Sequence, residues 1–390
     1  MLSNKNIIYF ANDWITDTRT SSHHIASELS KHNRLLYVET GGMRRPKTSK
    51  KDLKRIFSRL SSWFRGVRKI SNNFYVYSLI VFPFHTRWAR SLNIYLNTFI
   101  LKKAMKRYGF KSSILWFVAS HVAYLSVHIE HNFTVYYCTD NVSELPGADR
   151  KAVEKLENVL IAKANVVFAT SEYLYNKLKK KNINPNIYYS PHAVDGEHFS
   201  KAHNDSLTTV PEDLKGMNKP VIGYIGLIKE WIDLGLIVHL AKARPNWTVA
   251  LIGKLGVPAN EVLELENVRY LGIKKYEELP LYLKEFDICI SPFKVNELTM
   301  CVSPIKVKEY LAAGKPVVTT RLPEMEKLKD HVEIADTYEE FVEKIEHAYR
   351  SNNSEAIKGR MEIVKKDNWQ NRVSKVSELI EKVAGNNNAT

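Results

Sequence analysis

The sequence lacks the features of a disulfide-rich, zinc-binding or membrane-spanning protein. It has three cysteines in 390 residues, and Cys138, Cys289 and Cys301 lie far apart without a Cys-x-x-Cys pair. This spacing argues against structural zinc and favours a reducing compartment. The most apolar long stretch, residues 112–129, contains two histidines and four serines. We therefore expect a strand entering a helix there and not a membrane span.

Two further features are missing. The amino terminus, "MLSNKNIIYFANDW", has one lysine and an apolar run of only four residues, so it does not have the pattern of a signal peptide. No Asp-x-Asp triplet occurs anywhere in the chain, so the sequence gives no indication of a metal ion held by paired aspartates. We expect a cytoplasmic protein.

Charge is plentiful and unevenly distributed. The chain has a net charge of +15, and residues 1–195 contain 30 basic and 13 acidic residues, against 27 and 29 in residues 196–390. The two halves should therefore meet different partners. Two lysine clusters, at 102–107 and 177–181, are interpreted as solvated helix faces.

The basic excess concentrates in residues 44–69, where eleven basic residues accompany a single acidic one, Asp52. Apolar residues recur there at helical spacing, with Trp63 beside them: Leu53, Ile56, Phe57, Leu60, Phe64 and Val67. A basic face beside an aromatic one is typical of an interfacial helix on an anionic membrane. The alternatives are a helix that packs on a core and, less favoured because no recognised module accompanies the charge, a nucleic-acid contact.

Strand and helix patterns alternate along both halves of the chain, which predicts an α/β fold with parallel sheets. We predict a first domain over 1–195, a polar linker over 196–219, a second domain over 220–366 and a terminal helix over 367–384. In open parallel sheets, ligands bind at the carboxyl ends of the strands. We therefore expect the site in a cleft between the two halves.

One stretch, "SPIKVKEYLAAGKPVVTT" at 303–320, predicts a helix followed by a buried strand. Ser303 suits the N-cap, Pro304 the first helical position, and Gly314 the residue after the helix end. Free backbone N–H groups at such a helix start can bind an anion such as a diphosphate. An ordinary αβ unit would show the same pattern.

Several segments in order carry a family resemblance. They are "KPVIGYIGLIKEWIDLGLIVHLAKARPNWTVALIGK", "ENVRYLGIKKYEELPLYLKEFDICISPFKVNEL" and "SPIKVKEYLAAGKPVVTT", preceded by "ATSEYLYNKL" and "SPHAVDGEHF" and followed by "NWQNRVSKVSELIEKV". Together they resemble the GT-B glycosyltransferases, closest to family 4, and within it the bacterial enzymes of surface-polysaccharide and teichuronic-acid assembly. The resemblance is strong over 165–325 and weaker but collinear elsewhere.

The resemblance implies two Rossmann-like domains that face each other across a cleft, with the last helix returning to the first domain. It implies a nucleotide-diphosphate sugar as donor, by family habit UDP-linked, and a glycan or lipid-linked glycan as acceptor. Transfer would retain the anomeric configuration and need no metal or other cofactor. The expected location is the inner face of the cell membrane, with an anionic surface and no nucleic acid as partner.

The resemblance also assigns donor-side residues: Gly226, Lys229, Gly253, Lys254, Gly272, Tyr276, Ser303, Ile305, Lys306 and Glu309. Glu309 would bind the ribose, since a carboxylate accepts two hydroxyl donors well. The helix start with Lys306, joined by Lys229 and Lys254, would bind the diphosphate, although Lys306 also fits an exposed helix lysine. Gly272 and Tyr276 would line the base pocket.

One departure from the family pattern concerns the reaction centre. The family often has a Glu-x7-Glu pair, and counting back from Glu309 leads to Cys301. The usual partner glutamate is therefore missing in register. Glu297 is the nearest substitute, and the backbone amides at 299–303 are the alternative means of holding the sugar.

The first domain should supply the acceptor side. Its candidates follow the first strand and form one loop: Asp13, Asp17, Arg19, Ser22, His23 and His24. His121 follows a later strand and resembles a family histidine near the donor sugar, although a structural histidine is equally compatible. Asp140 ends another strand and is a candidate base.

Two other functions fit the same sequence. A sugar-nucleotide epimerase shares the fold and the nucleotide site but has no need of the basic aromatic segment. A non-catalytic, membrane-associated binding protein would keep the charge without the chemistry.

Overall fold

The chain forms two compact units in a computed structural model that describes residues 1–16, 19–41, 66–79, 87–203 and 209–387. Unit 1 comprises Met1–Thr170, Leu174–Ser190 and Val373–Thr390, and unit 2 comprises Ser171–Tyr173 and Pro191–Arg372. Each unit is built on one largely parallel sheet with helices between the strands. The predicted α/β class is confirmed.

Unit 1 contains an eight-stranded sheet in the order β3-β4-β2-β1-β5-β6-β7-β8. Its strands are β1 Asn6–Ala11, β2 Arg34–Glu39, β3 Arg68–Ser71, β4 Phe74–Ser78, β5 Ile114–Phe117, β6 Phe133–Cys138, β7 Val166–Ala169 and β8 Ile187–Tyr189. Its helices are α1 Ser21–Ser30, α2 Arg87–Arg107, α3 Leu125–His128 and α4 Arg150–Lys163, together with α5 Glu172–Lys180 from Leu174 onward. All strand pairs are parallel except the edge pair of β3 and β4.

A row of aromatic rings crosses six strands of this sheet. Neighbouring centroids lie 5.5 to 6.2 Å apart along Tyr37, Tyr9, Trp116, Tyr137, Phe168 and Tyr188. The first five are fully buried or nearly so. Aromatic neighbours on one face of a sheet stabilise the strand pairing, so this row forms the centre of the unit-1 core.

Unit 2 contains a six-stranded, wholly parallel sheet in the order β11-β10-β9-β12-β13-β14. Its strands are β9 Val221–Ile225, β10 Thr248–Ile252, β11 Val268–Gly272, β12 Ile288–Ser291, β13 Val317–Thr320 and β14 Glu333–Ala335. Its helices are α6 Gly196–Ser200, α7 Leu234–Ala243, α8 Asn260–Leu263, α9 Leu279–Glu285, α10 Ile305–Ala312, α11 Pro323–Glu326, α12 Tyr338–Arg350 and α13 Ser354–Lys365. The last helix, α14 Trp369–Asn387, begins in unit 2, and its residues from Val373 group with unit 1.

The unit-2 sheet is buried on both faces. Successive side chains of each strand point to opposite sides, and an apolar cluster covers each side. In β9, Val221 and Ile225 pack in one apolar cluster, which contains Tyr310 of α10. Ile222 and Tyr224 pack in the other, with Leu236 of α7. This arrangement explains the near-continuous apolar runs from which the strands were predicted.

Two predictions about elements are wrong. Residues 196–219 are not a linker over their described part, because α6 and two short 3-10 turns lie there and Phe199, Ala202 and Leu214 belong to the unit-2 core. The helical stripe assigned to 44–69 does not include its last residues, because Arg68–Ser71 is strand β3. Residues 44–65 lie outside the described residues.

Over the described parts of the chain, no helix combines the length and the apolar character needed to cross a bilayer.

Candidate active site

Helix α10 begins at the carboxyl edge of the unit-2 sheet, and its start is not capped by a side chain. Pro304 occupies the N-cap position and Ile305 begins the helix, so the prediction that Ser303 is the N-cap is wrong by one residue. Ser303 is buried just before the helix. Because Pro304 supplies no side-chain acceptor, the first-turn N–H groups are placed to bind an anion.

Glu309 and Lys306 form a close pair one turn into this helix. The Lys306 Nζ donates to Glu309 Oε2 at 2.6 Å, and Glu309 is only 2% exposed. Burial raises the pKa of Glu309, while the charge and hydrogen bond of Lys306 act in the opposite direction. The site thus contains a desolvated carboxylate beside one cation, with both side chains on the predicted donor helix.

Asp195 links the Glu309 pair to the predicted base pocket. Its carboxylate caps α6 by accepting from the His198 N–H at 3.3 Å and also accepts from the Tyr276 hydroxyl at 3.2 Å. Its negative charge contributes to the raised pKa of Glu309. The imidazole of His198 stacks on the Tyr276 ring with centroids 4.3 Å apart.

Sequence reasoning placed Tyr276 here but did not single out Asp195 or His198. The pattern that signals them is an aspartate before a short helix, since Asp is a favoured N-cap residue. It lies within the segment "SPHAVDGEHF", where the predicted first domain ends and the predicted linker begins.

Three predicted glycines lie together where β9, β10 and β11 end. The Gly226 N–H donates to the Ile252 carbonyl at 2.9 Å, and the Gly253 N–H donates to the Gly272 carbonyl at 2.8 Å. A Cβ on Gly253 would lie 1.8 Å from the Gly226 carbonyl oxygen, and Gly253 has a φ of +136°. Glycine at 253 is therefore required by contact between two strand ends.

The loops after β9 and β10, which contain Lys229 and Lys254, pair with each other. The Ile228 N–H donates to the Lys254 carbonyl at 3.0 Å, and the Gly256 N–H donates to the Ile228 carbonyl at 2.8 Å. The Lys229 Nζ lies 5.1 Å from the centroid of the Trp231 ring, a cation–π contact, and Lys254 is exposed. Both predicted lysines thus lie on paired loops at the carboxyl edge.

The loop before α10 contains Glu297 and Cys301. Glu297 is exposed, and its Oε2 lies 3.4 Å from the Tyr173 hydroxyl. The Asn296 side chain accepts from the Leu298 N–H at 3.0 Å and stabilises the turn. Cys301, in the position where the family pattern has a glutamate, is fully buried. The only carboxylate on this loop is therefore that of Glu297.

Three sets of polar contacts fix helix α10 in place. The Tyr310 hydroxyl accepts from the Ile225 N–H at 2.8 Å and lies 3.2 Å from the Ile225 carbonyl oxygen. The Lys308 ammonium donates to the Asp367 carboxylate and to the His192 carbonyl. At the far end, the Arg360 Nε donates to the Gly314 carbonyl at 3.0 Å. A site on a helix held in this way is pre-organised for its ligand.

In unit 1, His23 is part of the framework of its loop. Its Nδ1 accepts from the Thr20 N–H at 3.1 Å, and its Nε2 lies 3.1 Å from the Asp13 carbonyl oxygen and 3.2 Å from that of Trp14. Burial lowers the pKa of His23. These contacts fit a neutral imidazole that donates through Nε2 and holds the loop against α1.

The other predicted acceptor residues have mixed environments. Ser22 and His24 are buried in the first turn of α1, Arg19 is exposed, and Asp17 lies outside the described residues. His121 lies after β5, with its Nε2 3.4 Å from the Thr40 carbonyl oxygen. Asp140 is exposed after β6.

Glu39, which sequence reasoning missed, organises the same edge of the unit-1 sheet. Its carboxylate accepts from the Trp14 N–H at 2.8 Å, from Arg68 Nη2 at 3.0 Å and from the Ser78 hydroxyl. A buried glutamate that ends a strand is the signal in the sequence, but its partners lie up to 39 positions away. Within the described ranges, no group of three or more His, Cys, Asp or Glu side chains is placed to hold a metal ion.

Comparison with known proteins finds a family match within unit 2. Residues 219–351 match the family described as glycosyl transferases group 1. This region belongs to the group 1 glycosyltransferases. The match covers the carboxyl edge of the unit-2 sheet and the whole of α10, so the predicted family is confirmed.

The chain is also similar to one relative in sequence and to solved structures in fold. The chain is 29% identical over 275 residues to TuaH of Bacillus subtilis (strain 168), which carries the name of a teichuronic acid biosynthesis glycosyltransferase. The match covers 65% of this chain and 68% of TuaH. Sucrose-phosphate synthase from Thermosynechococcus elongatus is similar in structure with a TM-score of 0.71 and 12% identity, over 97% of this chain and 99% of that one.

HepE of Anabaena, solved in complex with UDP and glucose, has a TM-score of 0.68 and 13% identity, over 97% of this chain and 100% of that one. These structural likenesses show the GT-B fold. The chain therefore has two Rossmann-like units, and residues 219–351 match the group 1 glycosyltransferases.

Proposed function

We propose that this glycosyltransferase moves a sugar from a UDP-linked donor to a glycan or lipid-linked glycan acceptor in cell-surface polysaccharide biosynthesis. The observation that carries the proposal is the buried Glu309–Lys306 pair next to the uncapped start of α10. The name of TuaH supports the pathway, and the UDP and glucose bound to HepE support the donor class.

In this proposal the two members of the pair have linked tasks. Glu309 accepts hydrogen bonds from the ribose hydroxyls, which requires the ionised carboxylate. Lys306 favours that ionised form and, as an ammonium with three donors, has N–H groups left for the diphosphate. Tyr276 and Gly272 line the base pocket.

The leaving diphosphate would be stabilised by pre-organised positive charge. The start of α10 contributes about half a unit charge, to which Lys306, Lys229 and Lys254 add their ammonium groups. Donors aimed at charge that develops in the transition state are a major source of catalysis. The sugar would be held by Glu297, and the alternative from the sequence, the backbone amides at 299–303, is disfavoured because the N–H groups of residues 299–302 already donate within the loop.

We propose that transfer retains the anomeric configuration by front-face attack, without a covalent intermediate and without a metal ion. His121 of unit 1 would lie near the donor sugar, and Asp140 would act as base on the acceptor hydroxyl. The absence of an Asp-x-Asp triplet supports metal independence. Full transfer activity after dialysis against EDTA is the expected result, and a loss restored by Mg²⁺ or Mn²⁺ would contradict it.

We also propose a peripheral location on the inner face of the cell membrane, with anionic lipid as partner and no nucleic acid. The basic aromatic segment 44–69 is the motive, although only its last residues are described. A variant with Lys50, Lys51, Lys54 and Arg55 changed to serine should lose its preference for anionic vesicles. If this variant binds anionic vesicles as well as the parent protein does, segment 44–69 does not make the membrane contact.

The decisive experiment measures donor binding and turnover together. We expect UDP release from a UDP-sugar to depend on an added glycan acceptor. Glu309→Ala should weaken donor binding by about 1.5–3 kcal/mol, which is roughly ten- to a hundredfold in Kd. The matched control is Glu343→Ala, because Glu343 is exposed on α12, and its Kd should not change.

Other outcomes would separate the alternatives. Conversion of the donor sugar without an acceptor would indicate an epimerase. Tight donor binding without any turnover would indicate a binding protein. An unchanged Kd for Glu309→Ala in a folded protein would remove Glu309 from the ribose site.

A further inference from the structure

Helix α2 of unit 1 turns two large aromatic side chains to solvent. Tyr95 is 66% exposed and Phe99 is 57% exposed, and their rings stack with centroids 6.3 Å apart. Residues four apart lie on the same face of a helix, so the pair forms one continuous apolar surface. Exposed apolar surface of this kind often marks an interaction site.

The aromatic pair lies opposite the face by which α2 packs on unit 1. Leu101, Ala104 and Met105 are buried. Phe99 is two residues from Leu101, which is about 200° of helix rotation. The exposure of Tyr95 and Phe99 therefore follows from the register of the whole helix and is not a local irregularity.

Positive charge continues the same outward face. Lys102, Lys103 and Lys106 are exposed, one to two turns beyond Phe99. The helix has six basic residues and no acidic one between Arg87 and Arg107. Among the described residues, none of these three lysines forms an ion pair. Sequence reasoning interpreted this cluster as a solvated helix face, but the helix itself contains none of the acidic residues that usually accompany one.

We propose that the outward face of α2, formed by Tyr95, Phe99, Lys102, Lys103 and Lys106, docks this glycosyltransferase on an anionic lipid surface. The aromatic rings insert at the level of the headgroups, and the lysines bind the headgroup phosphates. Charge complementarity selects this occupant, since an uncompensated basic face attracts acidic lipid, and the apolar pair beside it suits the boundary of the acyl chains.

This inference deepens the membrane association proposed above, but it rests on different residues from the 44–69 segment. It also gives that association a defined orientation, because α2 is a 21-residue helix fixed to the unit-1 core. Docking through α2 would hold the enzyme at the surface where a lipid-linked acceptor resides.

The test uses the full chain and co-sedimentation with vesicles of phosphatidylglycerol and phosphatidylcholine, against vesicles of phosphatidylcholine alone. We expect the parent protein to prefer the anionic vesicles. The double variant Tyr95→Ser, Phe99→Ser should bind them about tenfold more weakly, since partial burial of two aromatic rings is lost. Replacing Lys102, Lys103 and Lys106 by serine should weaken binding by on the order of a hundredfold, at about 1 kcal/mol for each charge.

A control variant removes the same charge elsewhere in unit 1. Lys151, Lys155 and Lys163 are exposed on α4, and their replacement by serine should weaken binding far less than the α2 change. Equal losses from the two triple variants would overturn the proposal, because net charge alone would then explain binding.

A second readout follows insertion directly. The three native cysteines are buried, so Phe99→Cys adds one reactive thiol for an environment-sensitive fluorophore. We expect a blue shift on anionic vesicles for this probe and none for a Tyr349→Cys probe on α12 of unit 2.

Several results would contradict docking through α2. The α2 variants could bind anionic vesicles as the parent does while the 44–69 variant loses binding. The membrane contact would then belong to segment 44–69 alone. No vesicle binding by the parent protein would overturn membrane docking, while the glycosyl-transfer proposal would still stand on donor binding. Oligomers that dissociate in the Tyr95→Ser, Phe99→Ser variant, without vesicle binding, would assign the face to a second copy of the chain.

Discussion

Glu309 is buried beside a single cation, and this placement should make donor binding sensitive to pH. Burial raises the pKa of its carboxyl, with Lys306 opposing the shift. Because the ribose hydroxyls need an ionised acceptor, donor affinity should fall as the pH drops through this raised pKa, at a higher pH than for an ordinary glutamate. Calorimetric titration of UDP across this range is the measurement. Glu309→Gln should bind weakly at every pH. A parent Kd that does not change with pH would contradict the assignment.

Gly253 and Gly272 allow a comparison of how much stability is lost when glycine is replaced by alanine with and without a steric clash. A Cβ at 253 would lie 1.8 Å from a backbone oxygen, whereas at 272, with a φ of +71°, nothing lies within 4 Å. Gly272→Ala should therefore cost only the strain of its backbone, about 1 kcal/mol. Gly253→Ala should cost clearly more, on the order of 3 kcal/mol or above. Chemical denaturation measures the free energy of unfolding of both variants. Equal losses of stability would show that the contact with the Gly226 carbonyl oxygen is not the reason for glycine at 253.

At the residue scale, functional side chains that lie close together in the sequence could be predicted. Lys306 and Glu309 are three positions apart on one helix, so a local pattern contains both. Asp195 and Glu39 were missed because their partners come from distant strands and loops. Glu297 is on the expected loop, but its approach to Tyr173 depends on tertiary structure.

Helix α10 depends on a single hydroxyl for its bond to the central strand. Tyr310 is fully buried and contacts both backbone groups of Ile225. Tyr310→Phe would leave the Ile225 N–H buried without an acceptor, which should reduce the free energy of unfolding by about 1–3 kcal/mol. Donor affinity should fall as well, since the helix that carries Glu309 is less firmly placed.

The matched control for this change is Tyr349→Phe. Tyr349 is 45% exposed, so losing its hydroxyl should change stability by less than about 0.5 kcal/mol. Unchanged donor affinity in Tyr310→Phe would show that the helix keeps its position without this bond.

At the element scale, patterns predicted the strands well because both sheets are buried and their strands are apolar throughout. Helix α6 was not found because it has five residues within a polar segment, which resembles a linker. Strand β3 was missed for a related reason. It is an edge strand whose residues are half-buried or exposed, so it lacks the apolar alternation that signals a strand.

His192 should make the stability of the whole protein fall in mild acid. It is buried near Lys308 and Arg372, and burial with these charges lowers its pKa to about 3 from 6.5. Below pH 6.5 the unfolded chain therefore binds a proton that the folded chain does not. This difference reduces the free energy of unfolding by up to about 1.4 kcal/mol for each pH unit.

Denaturation by urea at pH 7 and at pH 5 measures this effect. We expect a loss of about 2 kcal/mol at pH 5 from this group alone, which His192→Gln should abolish. His128→Gln provides the comparison, because His128 is exposed and its replacement should leave the loss unchanged. If the free energy of unfolding of His192→Gln falls between pH 7 and pH 5 as much as that of the parent, other groups cause the acid sensitivity.

The aromatic row of unit 1 has an optical consequence. Trp116 is stacked between Tyr9 and Tyr137 at 5.7 and 6.1 Å, and further rings continue the row on both sides. Light absorbed by these tyrosines should pass to the indole by non-radiative transfer, since the chromophores are almost in contact. Tyrosine emission from unit 1 should therefore be quenched in the native protein and appear when this sheet opens, which provides an intrinsic signal for the unfolding of unit 1.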